Sequence, residues 1–301
     1  MMAALTRQGG AHRDILGECP VWHAAQKSLY WVDIRAPAVR RLDVAADRVE
    51  SRTMPGLIGA IALTDGPDLL VALGNRIALL DFESGRLTTL AEIADMPDGH
   101  RFNDGRCDPQ GRFWIGTMHN VTRAAEGKLY RLDPSGPAPV LDGVCIPNSL
   151  AWSPDGETLY FADSLQHRID AYPFDAVRGT VGARRVFAET VRPSFPDGSA
   201  VDAEGHLWNA EFFGSRVVRY APDGRVDRVI PMPVDRPTCC AFGGEELRTL
   251  FVTTTCQNLT EAERAAQPLA GALLAVEVDV PGLPEPRVRL ALCPRPARDL
   301  P

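Results

Sequence analysis

Asn148-Ser149-Leu150-Ala151-Trp152-Ser153-Pro154-Asp155-Gly156-Glu157-Thr158-Leu159-Tyr160-Phe161-Ala162-Asp163 reads as a short strand, a tight turn and a second strand. Leu150 and Trp152 alternate with smaller residues, as on a half-buried strand. In Pro154-Asp155-Gly156, proline presets φ and glycine accepts the left-handed position, so the chain turns there. Leu159-Tyr160-Phe161 resumes a β-rich run. Asn148, the polar residue at the head of the unit, is a poor strand former. It matters because the unit recurs.

Five related hairpins flank it. Glu18-Cys19-Pro20-Val21-Trp22 precedes Ser28 to Asp33, and Gly59-Ala60-Ile61-Ala62-Leu63 precedes Leu69 to Leu73. Asn103-Asp104-Gly105-Arg106-Cys107 precedes Arg112 to Gly116, Asp197-Gly198-Ser199-Ala200-Val201 precedes His206 to Ala210, and Thr238 to Phe242 precedes Thr249 to Thr253. The units therefore start at 18, 59, 103, 148, 197 and 238. A third strand follows each of the first five hairpins (Lys128 to Leu132, for example), then a polar turn and an edge-like fourth run. Four strands per unit of roughly 40–50 residues is the signature of a β-propeller blade. The fold expected is all-β: one six-bladed propeller over residues 1–301, with four antiparallel strands per blade. Leu259 to Ala266 is the one segment with a helical pattern. A strand closing the last blade can come from Arg287 to Leu292 or from the residues before Arg13; the pattern does not choose.

Composition fits this class. The chain has 301 residues, 45% apolar and 24% charged, with a net charge of −7. The acidic balance argues against a nucleic-acid surface. No apolar run is long enough to span a bilayer, so no membrane partner is expected. No secretory pattern opens the chain, and the seven cysteines are an odd count without metal-site spacing. A reduced cytoplasmic setting follows, with a monomer or weak homo-oligomer expected. Cys239 and Cys240 alternate faces in a strand, so both cannot line a channel. Trp22, Trp114, Trp152 and Trp208 fall at equivalent or nearly equivalent positions, which suits packing between blades.

In a propeller the first strand of each blade lines the central channel. Superposing the repeats sets Glu18, Gly59, Asn103, Asn148, Asp197 and Thr238 around one mouth. Four of these carry amide or carboxylate oxygens, and a hard divalent cation is what such oxygens bind. Pro147, Pro196 and Pro237 stiffen the entry in three blades. The plain alternative is that Asn and Asp cap loops at strand starts, but four equivalent positions at once speak against it.

At these residues the chain resembles the regucalcin/gluconolactonase family. The resemblance rests on Leu16-Gly17-Glu18-Cys19-Pro20-Val21-Trp22, on Arg101-Phe102-Asn103-Asp104-Gly105 with Gly111 to Met118, on Pro147 to Ser153 and on Pro196-Asp197-Gly198, in order. It implies a six-bladed propeller with one divalent metal ion in the channel and, in many members, hydrolysis of a sugar lactone. Carried over by position, it makes Glu18, Asn148 and Asp197 metal ligands, and Arg101 and Asn103 substrate contacts. Calcium, zinc, manganese, magnesium and iron are all compatible with such oxygens. Val121 stands where some members place an acidic substrate contact. His119, which follows Gly116-Thr117-Met118 as in other lactonases of the family, is a further substrate-binding candidate, with a structural role as its alternative.

The chemistry then expected is attack of water on a lactone carbonyl. Asp197 is the candidate general base as well as a ligand, and Arg101 offers a fork of donors to a polyol. No Gly-x-Ser-x-Gly elbow, His-Glu-x-x-His pair or Gly-Lys-Ser/Thr loop offers another chemistry. A calcium-binding propeller without turnover, and hydrolysis of other esters, are the alternative functions.

Overall fold

Each repeat forms its own antiparallel sheet in the computed structural model, which describes residues 5–295. Blade one comprises Gly17–His23, Ser28–Asp33, Ala38–Asp43 and Arg48–Thr53; blade three comprises His100–Cys107, Phe113–His119, Gly127–Asp133 and Gly136–Val144. Blade four opens with Pro147–Trp152 and Thr158–Asp163 and adds a short fifth strand, Thr180–Val181. Blade five runs from Phe195–Val201 to Val226–Pro231. The inner strands contact one another in ring order, and blade one meets blade six, so the sheet ends are closed on themselves. The expected six-bladed propeller is the fold observed.

Blade six is closed by the amino-terminal strand. Thr6–Gln8 pairs antiparallel with Leu273–Glu277, register Thr6 to Ala275. Arg287 to Leu292, the other segment expected for this place, takes no part in the sheet. It crosses the far mouth, where Val288 bridges Thr64 of blade two and Leu290–Leu292 makes a 3-10 turn. The helix runs Glu261–Ala266 and starts at a capping box, with Thr260 Oγ1 accepting from the Glu263 N–H.

Packing between blades is aromatic. Trp22 stacks on Phe251 of blade six at 5.9 Å, Trp114 meets Trp152 edge-on at 5.9 Å, and Trp208 meets Phe242 at 5.9 Å. In blades one, three and five a buried carboxylate pins a second-strand indole. Trp31 Nε1 donates to Asp14 (2.6 Å), Trp114 to Asp108 (3.0 Å) and Trp208 to Asp202 (2.8 Å). Each aspartate also accepts from an arginine Nε (Arg40, Arg112 and Arg219), which satisfies a charge that would be costly if left alone. The seven cysteines are free thiols, and Cys239 and Cys240 are both buried.

The register of every inner strand shifts where its ring residue stands, between Glu18 and Val21 or between Asn148 and Ala151, for example. Such bulges re-aim side chains. Here they turn the strand entrances toward the channel mouth.

Candidate metal and substrate site

The bulges bring Glu18, Arg101, Asn103, Asn148 and Asp197 to the lining of one cavity of about 100 Å³ at that mouth. The other two ring positions do not join them. Thr238 spends its hydroxyl on Gly17 O (2.5 Å) and Thr253 Oγ1 (2.9 Å). Gly59 is forced by packing, because a Cβ there would lie 2.5 Å from the Phe102 carbonyl.

A one-way chain of hydrogen bonds links the cavity residues. Arg101 Nη1 donates to Asn103 Oδ1 (2.7 Å), Asn103 Nδ2 to Asn148 Oδ1 (3.0 Å), Asn148 Nδ2 to Ser164 Oγ (2.8 Å), and Ser164 Oγ to Pro196 O (2.7 Å). It starts on a cation and ends on the residue before Asp197, crossing blades three, four and five. Both amide donors of Asn103 are used, since Nδ2 also reaches Pro147 O at 2.9 Å. Arg101 is further held through Nε by Asn120 Oδ1 (2.9 Å), and its Nη2 has no protein partner among the described residues.

The donor set fits a cation. Asp197 Oδ1 is buried with no hydrogen-bond partner among the described residues. Asn148 Oδ1 accepts once and keeps its second lone pair. Glu18 accepts only from the neighbouring Cys19 N–H, at 3.3 Å. Burial, and after it the charge of Asp104, pushes Glu18 up to about 8. Burial, and then the charge of Glu18, holds Asp197 well above the usual carboxylate range. Two buried carboxylates, both raised by burial and one by the charge of the other, are relieved by a positive charge between them. No group of three His, Cys, Asp or Glu side chains suited to a metal occurs among the described residues, so a cation at this place would draw its third ligand from the amide of Asn148.

The chain matches the model of the SMP-30/Gluconolactonase/LRE-like region over residues 16–256. It belongs to this family. It is 42% identical over 275 residues to the 6-deoxy-6-sulfogluconolactonase of Pseudomonas putida, covering 90% of this chain and 94% of the relative. It is 36% identical to the regucalcin of Gallus gallus, covering 91% and 95%. Its fold superposes with a TM-score of 0.91 on a calcium-binding regucalcin from Agrobacterium tumefaciens, 33% identical, covering 96% of this chain and 98% of that one. In this chain the inner strands of blades one, three, four and five begin at the lined cavity.

His119 stands apart from that cavity. Its Nδ1 accepts from the Val121 N–H (3.2 Å) and the Thr122 N–H (3.0 Å), and its ring lies edge-on to His100 at 5.2 Å. It shapes the loop on which Val121 is 78% exposed. Several lining residues carried no assignment from sequence. Ser164 links Asn148 to blade five, and Phe195, Phe212 and Phe213 of blade five add an apolar wall. Asp33 and Asp163 act behind the ligands. Asp33 accepts from the Ile15 and Leu16 N–H groups just before Glu18, and Asp163 from the Cys145 and Ile146 N–H groups just before Asn148. The recurring Asp at the end of these two second strands was the available signal.

Proposed function

We propose that the protein is a divalent-metal-dependent hydrolase that opens a sugar lactone to the corresponding aldonic acid. The observation that carries this reading is the buried Oδ1 of Asp197, unpartnered among the described residues, in a cavity that Glu18, Asn148 and Arg101 also line. Glu18, Asn148 and Asp197 would hold the metal, which when bound polarises a carbonyl and acidifies water. The rest is done by the chain. Arg101 Nη2 donates to a substrate oxygen, and its other donors are already committed, so the guanidinium cannot swing away. Asn103 keeps the amide of Asn148 turned with its oxygen toward the cavity. The Asp197 carboxylate takes a proton from the attacking water, the ring ester C–O bond breaks, and the same proton passes to the leaving ring oxygen, which ends as a hydroxyl. Phe195, Phe212 and Phe213 offer an apolar face and keep bulk water from one side.

The 42%-identical relative named for a gluconolactone supports this substrate class. A calcium-binding propeller without turnover is the second reading, favoured by the description of the Agrobacterium relative as a calcium-binding protein. Arg101 separates the two, since holding calcium requires no free guanidinium donor beside it. The test measures lactone hydrolysis before and after chelation, with Asp197→Ala alongside. Activity lost on chelation, restored by a divalent cation and lost in the variant is expected. Full activity in the chelated enzyme or in Asp197→Ala would overturn the mechanism, and metal binding without turnover on any five- or six-carbon lactone would leave the second reading.

A further inference from the structure

Three arginines, Arg35, Arg101 and Arg123, line the cavity together, and none has a carboxylate within ion-pair distance among the described residues. This is unusual for the chain, whose net charge is −7 and whose other arginines are mostly paired: Arg40 with Asp14, Arg112 with Asp108, Arg219 with Asp202. Arg101 and Arg35 are held by side-chain hydrogen bonds, and Arg123 by its backbone. Arg35 follows the turn that Asp33 closes by accepting its N–H at 3.0 Å, and its Nε is fixed on Gln257 Oε1 at 2.7 Å. Both its Nη groups remain without a protein partner among the described residues. Arg123 ends the loop that His119 organises, its backbone is left-handed (φ 53°), and its guanidinium makes no hydrogen bond among the described residues.

Charge arithmetic then favours one class of ligand. The cavity lining carries three guanidiniums against the two carboxylates Glu18 and Asp197, an excess of one positive charge before any cation is added. Arg101 is the deep member, 6% exposed and tied to Asn103. Arg35 and Arg123 stand further out, one half-buried and one exposed. They are close enough to oppose each other: burial, and after it the charge of Arg123, draws Arg35 below its ordinary range. Like charges held together on a mouth are stabilised by an anion between them. A neutral lactone supplies none.

We propose that Arg35 and Arg123 select a lactone bearing an anionic group away from its ring carbonyl, a phosphate, sulfonate or carboxylate. This rests on the lactonase reading and deepens it. The ester end lies with Arg101, Asn103 and the oxygen ligands, and the anionic end lies between the two outer guanidiniums. Phe195, Phe212 and Phe213 come from blade five, which faces blade two across the ring, while Arg35 and Arg123 come from blades one and three on either side of blade two. The apolar wall and the cationic rim therefore face each other across the cavity.

The experiment compares kcat/KM for glucono-1,5-lactone with that for its 6-phosphate, its 6-sulfonate analogue and a hexuronic acid lactone. The wild type, Arg35→Ala, Arg123→Ala and Arg123→Glu are each assayed. At least one anionic lactone is expected to exceed the neutral one by tenfold or more, and the arms show which oxyanion fits. That ratio is expected to fall by at least fivefold in each alanine variant and to drop below one in Arg123→Glu. A readout independent of turnover is calorimetric binding of gluconate 6-phosphate against gluconate to chelator-treated protein, where the same variants should erase the difference. Equal or greater kcat/KM on the neutral lactone in the wild type, or a ratio that none of the variants moves, overturns the proposal and leaves the lactonase reading standing. Absence of turnover on every lactone, charged and neutral, would instead remove the reading on which it rests.

Discussion

Arg101 is the residue whose replacement separates charge from geometry. Its Nε and Nη1 hold Asn120, Phe102 O and Asn103, while Nη2 has no partner among the described residues. Lysine keeps the charge but cannot make these bonds from one nitrogen. Arg101→Lys is therefore expected to raise KM and to lower kcat/KM by about 30-fold, roughly 2 kcal/mol of lost charge-assisted hydrogen bonding. Steady-state kinetics on a single lactone reads it, and a wild-type kcat/KM would show that charge alone suffices. Glu18 makes a prediction about the metal-free protein. Its carboxyl ordinarily titrates near 4.5 and is pushed up to about 8 by burial and Asp104. A group raised on folding favours the folded state below its unfolded value, and that contribution is lost as pH rises through the folded one. The thermal midpoint of chelated protein should fall by several degrees between about pH 5 and pH 8, for this reason. Added divalent cation should suppress the fall, and Glu18→Gln should flatten it. A midpoint with the same pH profile in wild type and Glu18→Gln would refute the assignment.

Strand entrances explain why the ligands hold still. Cys19 and Ser149, which follow Glu18 and Asn148, both lie in the left-handed region at φ 49° and 62°, a conformation that side-chain-bearing residues keep only where the surroundings impose it. Asp33 and Asp163 brace the chain just ahead of these residues, each accepting two backbone N–H groups of the entering segment. Asp163→Ala leaves the Cys145 and Ile146 N–H groups without their acceptor. The expected cost is about 1–3 kcal/mol of stability and a loss of about tenfold in metal affinity, because the entry to Asn148 loosens. Calorimetric metal titration beside thermal unfolding checks both, and Asp163→Asn should recover part of each. Unaltered metal affinity in a folded Asp163→Ala would show that the brace serves only the fold. The ring itself was legible in the sequence because Glu18, Asn103, Asn148 and Asp197 recur in phase with the turns, against the preference of strands for other residues. The braces were not, although Asp33 and Asp163 end equivalent second strands. Their partners are backbone N–H groups, which have no sequence signature, and which group a carboxylate reaches is set by hairpin register. Likewise nothing in the sequence separated Gly59, excluded from the ring by the Phe102 carbonyl, from a position that had merely lost its ligand.

Closure of the ring is the property that no single repeat determines. Thr6-Arg7-Gln8 is short and largely exposed, whereas Arg287 to Leu292 alternates apolar and charged residues and looks the better strand. The short segment takes the place because the chain after Leu273–Glu277 is committed elsewhere: Val288 is fully buried against blade two, and Arg289 donates its N–H to Gly111 O in blade three. Thr6–Gln8 is then what covers the open edge of Leu273–Glu277 and joins the amino-terminal segment to the sheet of blade six. An uncovered edge presents free N–H and C=O groups to any other strand. Deleting residues 1–8 should therefore lower the thermal midpoint by a few degrees, at no more than the ~2–4 °C per kcal/mol of domains of roughly 150–250 residues. It should also make the protein associate in a concentration-dependent way. Metal affinity should change little, since the inner strands of blades one, four and five are untouched. Scanning calorimetry and light scattering on the truncated chain decide it: an unchanged midpoint with no added scattering would mean that the inner ring, not the amino-terminal strand, keeps blade six closed.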